Sequence, residues 1–412
     1  MTEPRRDRYA AWGLTWLAYA SYYFGRKGFS VVKSTLRHTL GVSEYALGVI
    51  DTLYLAAYAF GQFGSGYIGD RIGARRLIGY GLIASAAACA AFGATSFALG
   101  FGALFLVNGL AQSTGWPGTT RAMAEWTTPQ NRGTVMAFWC TCYQVGSIVA
   151  TDFAAYLLRK HGWRAAFFGP ALAMLVVALL ILSLLKQGAA LPLGTEPLAQ
   201  AESETALRRA AQRAAYKNPV LWAFGASYFF IKYVRYALLF WLPYYLSATL
   251  GYAPDRAAYV SNAFEAGGIV GVIALGAFSD RVRRLSRAAL SILSLLGLAL
   301  ALLACAGFGA HVALTVLGLG LVGALLYGPD ALLSGAAAQD AAGAAAAATA
   351  TGLVNGLGSL GGILEGLTLP AVSAHFGWQA MFPLLAGLAL CGALALLPAT
   401  RRPDVRAALS ES

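Results

Sequence analysis

The stretch GYIGDRIGARR at residues 66–76 decides the fold, because the chain contains it twice. The second copy, GAFSDRVRR at residues 276–284, repeats the glycine and the Asp-Arg pair 210 residues further on. A second pair of stretches, HGWRAAF at 161–167 and FGWQAMF at 376–382, occurs in the same order. The chain therefore consists of two repeated halves, and each copy of the first stretch follows the second long apolar run of its half.

The composition is that of an integral membrane protein. The 412 residues are 58% hydrophobic and 12% charged, which is too little charge to cover the surface of a soluble protein of this length. Apolar runs of about 20 residues, the length at which a helix spans a bilayer, recur along the whole chain. We expect an all-α membrane protein surrounded by lipid.

Several other classes of protein are disfavoured. A net charge of +12 suits nucleic-acid binding in a soluble protein, but here basic residues on the cytoplasmic side of a membrane explain it better. The five cysteines include no CxxC pair, and the four histidines have no zinc-ligand spacing. No nucleophile–base pair and no Walker pattern stands out. We expect a monomer that is not an enzyme, with no metal, no cofactor and no nucleic-acid partner.

Twelve apolar runs are candidate transmembrane spans, which we number in chain order. They cover residues 10–34, 46–68, 76–96, 99–121, 133–158, 164–186, 219–247, 256–280, 287–308, 311–334, 345–372 and 378–399.

The long polar segment 187–218 divides the spans into two sets of six. We expect an N-terminal six-helix bundle at 1–186, a cytoplasmic linker at 187–218, and a C-terminal six-helix bundle with a short cytoplasmic tail at 219–412. The predicted fold is two pseudo-symmetric six-helix bundles. Such repeats are typical of secondary transporters, whose substrate site lies between the halves near the middle of the membrane.

The basic residues predict the orientation of the chain. With both termini in the cytoplasm, cytoplasmic segments hold 20 of the 30 Lys and Arg residues, and outer segments hold five. This bias agrees with the positive-inside rule. We expect a multi-pass protein of the cell inner (plasma) membrane.

Span 1 carries Arg26 and Lys27 inside an otherwise apolar run. A charge in hydrocarbon costs several kcal/mol, so such residues are seldom present without a function. Five residues at spacings of 4, 3, 4 and 3 share one face of this helix: Tyr19, Tyr23, Arg26, Ser30 and Lys33. This face is too polar for lipid and is predicted to line a cavity or to contact another helix.

Span 7 has a similar face. Tyr228, Lys232 and Arg235 are spaced four and three residues apart, and Arg235 follows Arg26 by 209 residues, close to the interval of the repeat. We expect Arg26 and Arg235 to lie at equivalent depths and to face each other across the two halves. Two cations at such a place require an anion.

The anion could come from the chain itself or from a substrate. Five acids lie within the spans: Asp51, Asp152, Glu265, Asp330 and Glu365. One possibility is that all five pair with the buried cations. We expect such an ion pair between Lys27 and Asp51, because one helical step turns Lys27 about 100° away from Arg26.

Asp330 is expected to lie too far toward the cytoplasm to reach Arg26 or Arg235. The other possibility is therefore that both arginines bind a mobile anion. Phosphate suits a guanidinium, which donates two parallel hydrogen bonds and stays charged.

The stretch at 66–76 resembles the signature loop between the second and third helices of the major facilitator superfamily. The resemblance implies a conformational latch, in which the Asp70 carboxylate meets a helix N-terminus or an arginine of a neighbouring helix. Arg71 belongs to the same motif, and Asp280 and Arg281 are its counterparts in the second half. The alternative is an ordinary basic cytoplasmic loop.

Further stretches resemble the organophosphate:phosphate antiporter family, whose members carry glycerol 3-phosphate, hexose phosphates and phosphoglycerates. They are YYFGRKGFSVVKSTL, STGWPGTTRAMAEW, RGTVMAFWCTCYQVGS, FWLPYYLS, FEAGGIVG and YGPDALL. FSVVKS and IKYVRYALLFWLPYYLS are most similar to the sugar-phosphate-exchanger branch. The resemblance covers essentially all spans, but not the linker or the tails.

The resemblance implies a set of site residues. Arg26 and Arg235 correspond to the phosphate clamp of the family. Tyr19 and Tyr23 correspond to its helix-one tyrosines, and Tyr327 to its helix-ten tyrosine.

The chain departs from the family pattern at three positions. Tyr143, four residues after Trp139, stands where several members have a histidine. Lys232 stands where glycerol-phosphate carriers have a tyrosine. Asp330 follows Gly-Pro where the carriers have an apolar or aromatic residue. The departures concern the recognition of the organic half of the substrate and any proton coupling.

The predicted roles of five more residues complete the site. Trp139, Tyr143, Lys232 and Asn355 are counted with the substrate-binding residues. Glu265 is predicted to be a structural or gating acid.

The resemblance implies an exchanger of a small organophosphate for inorganic phosphate. Two alternatives stay open. One is a receptor for an external sugar phosphate. The other is a proton-coupled anion symporter that uses Asp330, Asp152 or Glu365.

Overall fold

The computed structural model describes residues 5–127, 132–186, 210–282, 285–309, 311–342 and 346–400. This part of the chain is largely helical and contains no β-strand. Most of the predicted linker and the C-terminal tail lie outside the described residues.

The helices account for the twelve predicted spans, six in each half of the chain. Their bounds, separated by span, are Arg5–Tyr22 and Phe24–Leu40; Glu44–Ile72; Ala74–Ala94; Ala98–Gln112 and Gly115–Trp126; Arg132–Trp139 and Cys142–His161; Ala165–Leu184; Pro219–Leu250; Pro254–Arg281; Arg287–Ala306; Val312–Ala331, the π-helical Leu332–Ala336 and Ala337–Ala342; Ala347–Phe376; and the 3₁₀ turn Trp378–Ala380, Met381–Ala395 and Leu397–Thr400.

Three spans of the first half are interrupted, although we predicted each as one helix. Span 1 has a turn at Tyr23, span 4 at residues 113–114 and span 5 at residues 140–141. Each turn contains a backbone bond from residue i to i−3, as in Tyr23 N–H to Ala20 O at 3.2 Å and Thr141 N–H to Phe138 O at 3.1 Å. Such short 3₁₀ turns change the rotation of the helix that follows.

Seven of the described helices are long and apolar enough to cross a membrane by themselves. They belong to spans 3, 6, 8, 9, 10, 11 and 12. The helices of spans 1, 2, 4, 5 and 7 do not meet this criterion of length and apolar composition. Turns shorten some of them, and charged residues or polar aromatic residues lie within others. Arg26 and Arg235 are on two of these five spans.

The second repeat predicted from sequence has the same backbone conformation in both halves. Gly162 and Gly377 end their helices with φ of 82° and 76°. Their N–H groups donate to Leu158 O at 3.0 Å and to Ser373 O at 2.8 Å, respectively. Glycine is the residue that adopts this left-handed region without strain, so each half turns into its last span in the same way.

The chain divides into two compact units. Among the described residues, the first unit contains 5–186 and 240–262, and the second contains 210–239 and 263–400. Spans 7 and 8 therefore contribute to both units. The bundle boundaries predicted from the sequence stay a prediction.

In the second unit, spans 8 and 10 approach closely through small residues. A Cβ added at Gly267 would overlap the backbone of Gly320, and one at Gly323 would overlap the backbone of Phe264. Close backbone contact through glycine is the packing we expect for helices in lipid. It places the side chains of these two spans within hydrogen-bonding reach of each other.

Candidate functional site

Arg26 is buried in the first unit, with 7% of its surface exposed. Its Nε donates to Gln112 Oε1 at 2.9 Å, and Tyr54 OH donates to the same oxygen at 2.8 Å. Gln112 Nε2 in turn donates to Ser85 Oγ at 3.2 Å. The guanidinium is thus held by a network of neutral side chains.

The backbone beside Arg26 is part of this network. Asn108 Nδ2 donates to Gly25 O at 2.7 Å, and Ser85 Oγ donates to Asn108 Oδ1 at 2.6 Å. A Cβ at Gly25 would overlap the Gln112 amide, so a side chain there would displace this amide from its present position. Gly25 therefore positions Gln112 against Arg26.

The positive charge of Arg26 has no carboxylate partner among the described residues. Its Nη1 and Nη2 groups also donate no hydrogen bond within that part of the chain. The carbon Cζ lies 4.6 Å from the ring centre of Tyr23, 5.5 Å from that of Tyr58 and 5.9 Å from that of Tyr54. Aromatic faces attract a cation without neutralising it.

Next to Arg26, the predicted aromatic residues form one cluster. The Tyr19 ring lies 5.1 Å from Tyr143, 5.5 Å from Trp139 and 6.4 Å from Tyr23, measured between ring centres. Trp116 of span 4 joins it at 5.8 Å from Tyr19. The turn at residues 140–141 lies between Trp139 and Tyr143, and both rings still reach Tyr19. We call these five residues the aromatic cluster.

The predicted pairing of Lys27 with Asp51 is wrong. Asp51 pairs with Lys33, and both side chains are fully buried. The Lys33 ammonium also lies 3.6 Å from the ring centre of Trp241. Lys33 lies seven positions before the end of its helix at Leu40, and Asp51 lies seven positions after the start of the next helix at Glu44, so the two are level with each other. The prediction placed the end of span 1 six residues too early.

In the second unit, Arg235 pairs with Asp330, which we predicted to be out of reach. Arg235 Nη1 lies 3.0 Å from Asp330 Oδ2. The predicted span 10 ended at residue 334, whereas helical structure continues to Ala342. Asp330 is therefore well inside the span, and the long arginine side chain reaches it.

Tyr327 connects this ion pair to Glu265. The Tyr327 hydroxyl donates to Glu265 Oε2 at 2.8 Å, and its ring centre lies 4.8 Å from Arg235 Cζ. A Cβ at Gly268 would overlap the Tyr327 ring, so the small residue makes room for it. The structure thus brings together four predicted residues, Arg235, Asp330, Tyr327 and Glu265.

Lys232 and Asn355 have other neighbours. Lys232 Nζ lies 5.3 Å from the ring centre of Tyr228 and 5.9 Å from that of Tyr236. Asn355 Nδ2 donates to Thr351 O of its own helix at 2.9 Å. No contact of Asn355 with the ion pair of Arg235 is found in the described part of the chain.

The signature loop can be compared with the prediction only in part. The side chains of Asp70 and Asp280 lie outside the described residues. Arg71 is exposed and donates to the hydroxyl of Tyr67, and Arg281 is exposed. Arg121 of span 4 donates to Gly69 O at 2.9 Å, so an arginine of a neighbouring span does reach the motif.

Several residues around Arg26 were not predicted from the sequence. Gln112, Asn108, Tyr54 and Tyr58 contact Arg26 or hold the residues that do. A signal was present, because each pair is spaced four residues apart and lies on one face of an apolar helix. Trp116 was quoted within a motif but not counted as a site residue.

The family profile of the Major Facilitator Superfamily matches residues 15–365. Among similar proteins, the probable hexose phosphate transport protein of Chlamydia pneumoniae is 28% identical, over 96% of this chain and 93% of its own. The putative glycerol-3-phosphate transporter 2 of Arabidopsis thaliana is 30% identical, over 93% and 84%. Sugar phosphate exchanger 3 of Mus musculus is 28% identical, over 97% and 94%.

The fold is also found among solved structures. The crystal structure of a D-xylose-proton symporter superposes with a TM-score of 0.76 at 15% identity, covering 95% of this chain and 98% of the symporter. This likeness concerns the fold alone. The profile match covers most of the chain, and the relatives are named for transport or exchange of hexose phosphate, glycerol 3-phosphate or sugar phosphate. The chain therefore belongs to the Major Facilitator Superfamily, in the organophosphate:phosphate antiporter branch that its sequence resembles.

Proposed function

We propose that the protein is a secondary transporter that exchanges a small phosphorylated organic anion for inorganic phosphate by alternating access. The organic anion is a sugar phosphate, glycerol 3-phosphate or a phosphoglycerate. The observation that carries the proposal is Arg26, a buried guanidinium with no carboxylate partner among the described residues and with two unengaged Nη groups.

The positive charge of Arg26 is the physical basis of the proposed function. A buried cation inside a membrane is costly unless an anion neutralises it. The Gln112 amide orients the guanidinium through Nε, which leaves the two Nη groups to donate in parallel to one ligand. A phosphoryl group accepts such a pair of bonds and carries the required charge. Arg235 of the second unit is the second proposed phosphate ligand.

The aromatic cluster supports an organic substrate. Trp139, Tyr143 and Trp116 pack around Tyr19, and Tyr23 connects this cluster to Arg26. Aromatic faces bind the apolar carbon skeleton of a sugar or glycerol, and tyrosine hydroxyls can donate to its oxygens. The relatives named as carriers of hexose phosphate, glycerol 3-phosphate and sugar phosphate favour the same class of substrate.

The positive charge of Arg26 also accounts for the exchange of one anion for another. An empty carrier leaves Arg26 without a counter-anion, so its return across the membrane is unfavourable. A bound phosphate neutralises the site and permits the return, which couples movement of one phosphorylated anion to movement of another. We further propose two six-helix bundles at 1–186 and 219–412, cytoplasmic termini, a monomer and a location in the cell inner membrane.

Exchange in proteoliposomes tests the proposal. Vesicles loaded with unlabelled phosphate should take up labelled phosphate, and external hexose 6-phosphate, glycerol 3-phosphate or 3-phosphoglycerate should compete. Vesicles without internal phosphate should take up little label.

Two other results would contradict exchange. Saturable binding of a sugar phosphate with negligible flux indicates a receptor. Uptake that is driven by an imposed pH gradient, with no phosphate inside, indicates a proton-coupled symporter. An arginine-to-lysine change at position 26 should abolish most of the exchange in the first assay.

A further inference from the structure

We propose that Asp330 is a resident counter-anion, which occupies Arg235 in the empty carrier and is displaced when a phosphorylated substrate binds. This inference rests on the proposed function. Asp330 then competes with the substrate for Arg235, and it is a determinant of phosphate affinity.

The Arg235–Asp330 pair is only partly satisfied. Asp330 Oδ2 lies 3.0 Å from Arg235 Nη1, but Oδ1 is buried and has no hydrogen-bond donor among the described residues. A carboxylate oxygen that is buried without a donor is costly, because it has lost its water and gained no partner in exchange. A purely structural ion pair gains most when all its acceptors are used.

The backbone around Asp330 is irregular. Proline precedes it at position 329, and the π-helical segment Leu332–Ala336 begins two residues later. The Ser334 hydroxyl, within this π-helical segment, donates to Asp330 O at 2.6 Å. π-Helical turns within α-helices occur frequently at functional sites. Such a segment can change its local winding and so move the Asp330 carboxylate away from Arg235.

The two arginines therefore differ in what they hold. Arg26 is bound by the neutral Gln112 amide, whereas Arg235 is bound by the Asp330 carboxylate. A phosphate meets no competing anion at Arg26 but must replace one at Arg235. A displaced Asp330 also stays nearby and repels the phosphate. Removing this charge should therefore strengthen phosphate binding rather than weaken it.

The test measures binding of inorganic phosphate to the purified full-length carrier in nanodiscs by titration calorimetry. Asp330→Asn and Asp330→Ser remove the charge, and each should lower the Kd at least tenfold, equivalent to about 1.4 kcal/mol. Asp330→Glu keeps a carboxylate and should stay within threefold of wild type. Asp340→Asn is the matched control, because Asp340 is a carboxylate of the same unit that pairs with Arg287 at 3.5 Å. It should also stay within threefold.

The outcomes separate the inference from the proposed function. If wild type binds and exchanges phosphate but the two neutral variants bind it no more tightly, Asp330 does not compete and the inference is wrong. The same conclusion follows if Asp330→Glu binds as tightly as Asp330→Asn, or if neither neutral variant folds, since Asp330 is then a structural partner. If wild type neither binds nor exchanges phosphate, the proposed function itself fails.

Discussion

Replacing Arg26 by lysine keeps the positive charge but removes the planar guanidinium. In the wild type, Nε is held by Gln112 Oε1 at 2.9 Å, and Nη1 and Nη2 are left for a ligand. Lysine has a single nitrogen, which cannot bind Gln112 and donate two parallel bonds to phosphate at once. The change therefore tests the fork geometry separately from the charge.

The expected loss follows from the number of hydrogen bonds. A hydrogen bond that involves a charged group contributes about 1.5–3 kcal/mol, and Arg26→Lys removes about one of the two to phosphate. A loss of about 2 kcal/mol weakens phosphate binding about 30-fold. The fold should be retained, because Gln112 Oε1 keeps its hydrogen bond from Tyr54 OH at 2.8 Å and is not left unsatisfied.

The assay compares phosphate affinity and phosphate exchange for wild type, Arg26→Lys and Arg164→Lys in proteoliposomes. Arg164 is a matched control in the same unit. It donates to Gly93 O and Ser96 Oγ, both at 2.7 Å, so its replacement also removes guanidinium hydrogen bonds, but away from Arg26. The control should exchange at the wild-type rate. Affinity of Arg26→Lys within threefold of wild type, with normal folding, would refute the reasoning.

Three further changes test the surroundings of the site and the packing of the spans. Gln112→Glu gives the neighbouring guanidinium a permanent anion and should weaken phosphate binding at least tenfold, whereas Gln112→Ala should weaken it less than threefold. If calorimetry gives the two Gln112 variants the same phosphate affinity, this expectation is wrong. Asp51→Asn breaks the fully buried pair with Lys33 and should cost about 3–5 kcal/mol, seen as a lower Tm in detergent, and the double change with Lys33→Met should recover stability. A double variant no more stable than the single one would count against it. Gly361→Ala drives a Cβ into a backbone carbonyl of span 7 and should cost about 1–3 kcal/mol, whereas Gly356→Ala meets open space on the same helix and should leave Tm unchanged. Similar Tm values for the two alanine variants would argue against close packing at this point.

Much of the site could be predicted from local patterns. Spacings of three and four placed Tyr19, Tyr23 and Arg26 on one face of span 1, and the aromatic contacts of Tyr19 agree with that face. The motif in span 10 led to Tyr327, whose ring lies beside Arg235. The shared face of Tyr19, Tyr23 and Arg26 could be predicted because helical periodicity relates residues close in sequence and is the same in every fold. Tyr327 was predicted from the family resemblance, and the role of all these residues in binding stays a prediction.

The errors concern partners that lie on different spans. The sequence suggested Lys27 for Asp51 and excluded Asp330 as a partner of Arg235, and both expectations were wrong. Each depended on where a span ends. Because a helix rises 1.5 Å per residue, an error of six to eight residues in its end shifts the expected depth by about 9–12 Å. That is enough to exchange one partner for another.

The sequence by itself determined that this is a membrane protein of twelve helices in two repeated halves, and that unusual cations lie within two of them. Composition, hydropathy and repeats are properties of the chain and do not depend on how the helices pack. Only the tertiary structure decided that Arg26 is held by the neutral Gln112 amide while Arg235 is held by the Asp330 carboxylate. The physical reason is that charge compensation depends on distances of about 3 Å between side chains on different helices. Helix ends, 3₁₀ turns and glycine contacts set those distances jointly.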